Sequence, residues 1–340
     1  MLEKQMIEDA LEPDLPIIDP HLHLWDILAV EGGLQEPQTF LVQDAARMIR
    51  ESGHSVTHTV FVECHAMYRP DGPAGLRSLG ETEFAVGMAA MAYSGLYGPC
   101  RIAHRIVANI DLCMGDAVEP VLEAHLARAG ERLRGVRMNS SYSEAGLFGA
   151  PAEAAAATRL ADPAFASGAR ALARRGLSLD VWCLHPQLPQ LVALAQHVPE
   201  LTIVLNHVGT PELRGQYRER EDEAFAEWRQ HLQALALRPN VRVKLSGLGM
   251  DLAGPLQART GDVSSERLAQ EWRARVETVI DAFGPDRCMF ASNYPADRSA
   301  ASYQAIWNAF KRLTAKYTDA EKARLFRGTA AETYRIELSN

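Results

Sequence analysis

The chain of 340 residues is poor in cysteine, and its five cysteines are odd in number and scattered: Cys64, Cys100, Cys113, Cys183 and Cys288, with no C-x-x-C. That argues against a disulfide framework and against a paired-thiol motif, and it fits structural free thiols in a reducing cytoplasm. Basic charge is also in deficit. The 35 Lys and Arg stand against 43 Asp and Glu, a net charge of −8, so the chain lacks the phosphate-neutralising excess that nucleic acid demands. No apolar run approaches the ~18 residues that would cross a bilayer, and the acidic start, Met1 to Asp14, lacks the basic head and apolar core of a secretory leader. The expectation is a cytoplasmic, unexported protein with a small-molecule partner and neither nucleic acid nor membrane.

With 47% hydrophobic and 23% charged residues, the chain has the composition of a globular protein with a sizeable core. Eight apolar runs of strand length recur: Pro16–Asp19, Thr57–Val62, Arg105–Ile110, Leu133–Met138, Leu177–Trp182, Leu201–Leu205, Val241–Leu245 and Arg287–Phe290. Between them lie amphipathic stretches, among them Phe40–Arg50, Asp116–Ala129, Asp162–Arg175, Gln187–His197, Glu221–Leu237 and Ser265–Phe283, with Asp116, Asp162 and Ser265 as N-caps. A helix after Glu81-Thr82-Glu83 fills the second slot, and Ser302–Leu313 with Asp319–Phe326 follows the eighth strand. This alternation predicts an α/β protein, a (β/α)8 TIM barrel spanning 15–340 behind an N-terminal arm of 1–14. The alternative is an open doubly wound sheet. It loses its usual support because no G-x-G-x-x-G follows the first strand. The long connections, Glu63–Gly80, Asn139–Ala161, Val208–Arg220 and Gly247–Ser264, all come after strands, on the face where this fold builds active sites.

The first strand ends in Asp19-Pro20-His21-Leu22-His23. Alternation along a strand would turn Asp19, His21 and His23 into the barrel, giving two imidazoles fit to hold a metal or polarise a carbonyl, with Asp19 beneath to orient a ring. Other polar residues stand at other strand ends: Glu63, Asp111, Arg137, His185, His207, Lys244 and Asn293. Each has a plainer reading. His185 before Pro186 suits a turn, Arg137 could pair with a core carboxylate, and Asp111 could cap the third helix. Lys244 inside a buried strand needs a partner. Eleven histidines placed at random would seldom put four at strand ends facing one mouth.

Asp19-Pro20-His21-Leu22-His23-Leu24-Trp25-Asp26, Asn206-His207-Val208-Gly209, Val243-Lys244-Leu245-Ser246-Gly247 and Met289-Phe290-Ala291-Ser292-Asn293-Tyr294-Pro295 together resemble the amidohydrolase superfamily. Within it the chain is most similar to the branch containing 2-pyrone-4,6-dicarboxylate lactonase, L-fuconolactonase and L-rhamnonolactonase. The resemblance runs from about Leu15 to Leu338 and implies hydrolysis of small lactones of organic or sugar acids, in a branch where a metal is often dispensable. One departure stands out. The family carries an Asp as general base where this chain has Asn293, and a carboxamide cannot accept the proton of an attacking water at neutral pH.

The expected chemistry is lactone hydrolysis, which requires activated water, a stabilised oxyanion and a protonated leaving alcohol. His21 and His23, with or without a zinc also held by His207, polarise the carbonyl; His207 and Lys244 give electrophilic help. Arg137 captures a substrate carboxylate, with His185, Asn293 and Tyr294 as further substrate contacts. Glu63, Asp297 and His185 are the candidate bases. A lyase, either a decarboxylase or a hydratase on an unsaturated or aromatic acid, is the alternative, and a non-catalytic binding protein the third reading. The five tryptophans and ten methionines suit a pocket or a homo-oligomer contact, although burial statistics place most in the core.

Overall fold

The computed structural model describes residues 8–27, 38–147, 150–250 and 263–338. Its strands are β1 (Ile17–Leu22), β2 (Trp25–Ile27), β3 (Gln38–Phe40), β4 (Val56–Val62), β5 (Arg101–Asn109), β6 (Leu133–Arg137), β7 (Ser178–Val181), β8 (Ile203–Leu205), β9 (Val241–Leu245) and β10 (Cys288–Phe290). Eight of them form one parallel sheet in the order β1-β4-β5-β6-β7-β8-β9-β10. A parallel bridge between Leu22 and Tyr294 draws the two ends together into a nearly closed barrel. The antiparallel pair β2 and β3 is an addition that the alternation did not predict.

The helices are α1 (Val42–Glu51), α2 (Leu79–Tyr93), α3 (Glu119–Ala129), α4 (Pro163–Arg174), α5 (Leu188–His197), α6 (Glu221–Ala236), α7 (Ser265–Phe283), α8 (Tyr303–Leu313), α9 (Asp319–Ala323) and α10 (Thr329–Tyr334). Two expected caps move. Ser264, not Ser265, accepts the Arg267 amide at the start of α7, and Asp116 lies inside a 3-10 segment, Leu112–Val118, whose cap is Asp111. Asp162 caps α4 as expected, accepting from the Ala164 amide. Among the described residues no helix is long and apolar enough to cross a membrane.

Two apolar layers hold the barrel. Inside it, Ile18, Val60, Val62, Val107, Val204 and Met289 pack with Ala330, Ala331, Tyr334 and Ile336, so α10 fills the interior from one end. Outside it, the helices bury large side chains against the strands, including Trp228, Trp272, Trp307 and Phe310. Each fully buried Leu, Val or Phe in these layers contributes roughly 1.5–3 kcal/mol against the entropy of ordering the chain. The arm before β1 is tied down as well. Glu8 accepts from Ser265 and Asn308, and Lys311 of α8 donates to the carbonyls of Leu11 and Glu12.

Candidate active site

The pairing of β1 with β4 sets the site's first two residues. Between Asp19, opposite Thr59, and Leu22, opposite Phe61, the register slips, so β1 carries an extra residue there. Alternation is broken at that point. Ile18 joins the inner core, whereas Asp19 turns to the β10 seam and α8, accepting from the Ser292 amide (3.0 Å), the Ser292 hydroxyl (2.6 Å) and Tyr303 Oη (3.0 Å). The expectation that Asp19 shares a face with the histidines and orients a ring is therefore corrected: it stitches the barrel closed. His21 and His23 still converge, their ring centroids 4.9 Å apart, and His207 lies 4.6 Å from His21.

Two buried cations flank this cluster, and each has its own carboxylate. Lys244 of β9 donates to Asp180 of β7 at 2.6 Å with both side chains fully buried. Asn206 and Tyr334 donate to the same carboxylate, which ties α10 to the site. Burial pushes the Lys244 ammonium down, and Asp180 opposes it. Arg137 at the end of β6 donates through Nε to Glu63 Oε1 at 2.6 Å and through Nη2 to the Glu63 carbonyl. Two of its five N–H groups are thus engaged by Glu63, and Nη1 lies 3.4 Å from His21 Nε2, so the charge that Arg137 was expected to offer a substrate carboxylate is already balanced by Glu63. Burial pushes Glu63 up, yet Arg137 together with His65 and His23 outweighs it and holds the carboxyl below its ordinary value.

The three imidazoles are neutral by environment. Burial lowers each of them, with Lys244 adding to the effect on His21 and Arg137 to the effect on His23, which falls to about 4, and on His207. His23 Nδ1 sits 2.8 Å from the Val62 carbonyl, an acceptor, so this nitrogen carries the proton and Nε2 keeps its lone pair. His207 takes a left-handed φ of 55°, as Val208 does after it, and its Nδ1 bonds to Ser246 Oγ at 2.9 Å. Gly247 is required there: a Cβ at its φ of +63° would lie 2.5 Å from His207 Cγ.

His23, Glu63, Arg137, His207 and Asn293 line a cavity of about 590 Å³ together with Trp25 and Trp182. His21 and Lys244 lie fully buried behind them. Asn293, also at a left-handed φ of 54°, donates Nδ2 to Asp297 Oδ1 at 2.8 Å. Asp297 does not line the cavity; burial raises its carboxyl to about 7. His185 is not a lining residue either. It packs on Tyr217, its Nδ1 accepts from the Glu212 amide, and its Nε2 is buried with no partner among the described residues. Tyr294 packs against Phe40 and Tyr303, and its carbonyl accepts from the His23 amide. Glu81, expected just ahead of the second helix, lies inside it, in the first turn of α2, and was not among the expected site residues because it is not at a strand end.

A divalent cation fits this donor set poorly. The two nitrogens of His21 face obligate donors, Lys244 Nζ at 3.3 Å and Arg137 Nη1 at 3.4 Å, so neither is a clean lone pair for a metal. The strand-ten position that would add an anionic ligand is the carboxamide Asn293. Among the described residues no group of three or more His, Cys, Asp or Glu side chains is arranged to hold a metal ion.

A parallel (β/α)8 barrel whose strand ends gather neutral imidazoles, a paired arginine and a buried lysine around one cavity defines a class of barrel enzyme. The chain belongs to the amidohydrolase family, which it matches over residues 18–336, and it is an enzyme rather than a binding protein. It is 32% identical to the uncharacterized protein y4mH of Sinorhizobium fredii over 95% of this chain and 99% of that one. It is 27% identical to an L-fucono-1,5-lactonase of Burkholderia ambifaria over 94% of this chain and 96% of that one. A crystallised amidohydrolase of Burkholderia multivorans, solved with bound HEPES and with bound zinc, is 25% identical with a TM-score of 0.71, covering 94% of this chain and 99% of its own.

Proposed function

We propose that this site hydrolyses a neutral lactone of a sugar acid. The observation that carries the reading is the internal charge balance: Arg137 is neutralised by Glu63 and Lys244 by Asp180, so the described lining offers no unclaimed cation to a substrate carboxylate. Neutral imidazoles, an amide and two indoles suit a ring bearing hydroxyl groups, and the likeness to an L-fucono-1,5-lactonase supports the same class.

In this reading the lactone carbonyl lies against Arg137 Nη1, whose N–H donates to the oxyanion as it forms, beside the neutral imidazole cluster. Glu63 takes the proton of the attacking water and returns it to the ring oxygen as the acyl C–O bond breaks, leaving the open hydroxy acid. Of the expected bases it alone lines the cavity, because Asp297 stands behind Asn293 and His185 lies outside. Its Oε2 is 3.4 Å from both Asn109 Nδ2 and His65 Nδ1, which orient the carboxylate. Asn293, anchored by Asp297, positions substrate through its amide. An Asn in place of the hydrolytic Asp at 293 would suit a lyase, but a decarboxylase must anchor an acid, and the paired cations do not favour that.

Acid release from L-fucono-1,5-lactone and other neutral aldonolactones tests the proposal, alongside 2-pyrone-4,6-dicarboxylate and carbon dioxide release from aromatic acids. Turnover confined to the neutral lactones, with Glu63→Gln lowering kcat by roughly 10²-fold, supports it. Carbon dioxide release without lactone turnover would establish the lyase instead.

A further inference from the structure

We infer that Glu81 is the positioning residue of this site, holding the segment that carries Glu63 and His65 to the cavity while it remains a neutral carboxylic acid. The role in turnover rests on the hydrolytic reading above; the protonation state does not.

Glu81 lies in the first turn of α2 and is 1% exposed. Its Oε1 accepts from the amides of Cys64 (2.8 Å) and Ala66 (2.9 Å), the residues that follow Glu63. The chain there is under constraint, with left-handed φ angles at His65 (62°) and Met67 (56°). The helix approaches so closely that a Cβ on Gly80 would lie 2.4 Å from the Met67 carbonyl. These contacts fix where β4 ends and where Glu63 meets Arg137.

The second oxygen, Oε2, is buried with no partner among the described residues. A carboxylate in that position would have one oxygen in no hydrogen bond, and Arg137, the nearby cation, already belongs to Glu63. The groups acting on Glu81 are Glu63, Cys64 and Tyr68 from the segment after β4 and Arg137 from β6; His125 of α3 bonds to the adjacent Thr82. Burial and the Glu63 charge raise its carboxyl to about 8, so one proton serves two buried carboxyls. Losing it places a second negative charge beside the Glu63–Arg137 pair and sets both carboxylates competing for one guanidinium.

Three variants and two readouts test this. The parent's kcat is expected to fall above pH 8; Glu81→Gln keeps the acceptor and the neutral shape, so its kcat at pH 7 stays within about twofold of the parent and does not fall above pH 8. Glu81→Ala leaves two amides unpaired and lowers kcat by roughly 10- to 100-fold with less change in KM. If that variant does not fold, Glu81→Met tests the same loss with more of the volume retained. A role in packing alone predicts that Glu81→Gln matches the parent at every pH, and that result overturns the inference. Infrared difference spectra between the parent and Glu81→Gln assign the carboxylic-acid C=O stretch without any substrate. A band present at pH 6.5 and lost above pH 8 supports the neutral acid even if no lactone is turned over; no such band at pH 6.5 refutes it.

Discussion

Asn293 donates its amide hydrogen to Asp297 across 2.8 Å, and both side chains are buried. The chain has thus not lost a carboxylate from this corner of the barrel but holds one a single side chain behind the cavity. Asn293→Asp would set two carboxyls in contact, and they should share a proton. The expected outcome is a folded variant whose melting temperature falls relative to the parent's as pH rises from 5.5 to 8.5, read by thermal denaturation. In the parent, Asp297 by itself contributes stability that is lost as pH rises from 4 toward 7, because it titrates higher folded than unfolded, and this partly offsets the opposite contribution of the buried histidines. Asp297→Asn should remove that offset.

Gly247→Ala should displace the His207 ring, since the added Cβ meets Cγ at 2.5 Å and the left-handed φ strains any other residue. A kcat about 10- to 100-fold lower with a native circular dichroism spectrum is the expected result. An unchanged kcat would mean that His207 has no part in turnover.

Lys244→Met should destabilise the fold by about 3–5 kcal/mol by leaving Asp180 charged and buried. Replacing both, with Asp180→Leu added, should recover part of that loss. Urea denaturation of the two single variants and the double variant measures the coupling.

Metal removal should have little effect. With Lys244 and Arg137 against the two nitrogens of His21, incubation with a strong chelator should change neither melting temperature nor kcat, and added zinc should not stabilise the protein. A rise of several degrees on adding zinc would show that the cluster rearranges around the ion.

Acid should weaken the fold through its histidines. Burial lowers His23, His54, His125 and His185 to about 4 in the folded state, below the unfolded value of 6.5. The unfolded chain therefore binds more protons between pH 6.5 and 4, and stability falls as pH descends through that window. Denaturant midpoints at pH 7, 5.5 and 4.5 should decrease in that order.

The sequence by itself determined the barrel and the address of its site. Apolar runs of four to six residues alternating with amphipathic stretches leave little choice but a parallel sheet covered by helices, and Val241–Leu245 is a strand in both readings. The H-x-H at the end of β1, His207 after β8 and Lys244 in β9 were legible because strand ends of this fold share one face. Tertiary structure decided what each of them touches. Alternation could not foresee the extra residue in β1 that turns Asp19 away from the histidines, since a bulge arises from pairing with β4. Nor could it show that Glu63 occupies the Arg137 fork, that Asp297 stands behind Asn293, or that Glu81 grips the amides of Cys64 and Ala66. Periodicity reports the direction of a side chain relative to its own backbone. A hydrogen bond between residues 74 positions apart, as for Arg137 and Glu63, depends on where two elements lie relative to each other, and only the packed barrel fixes that.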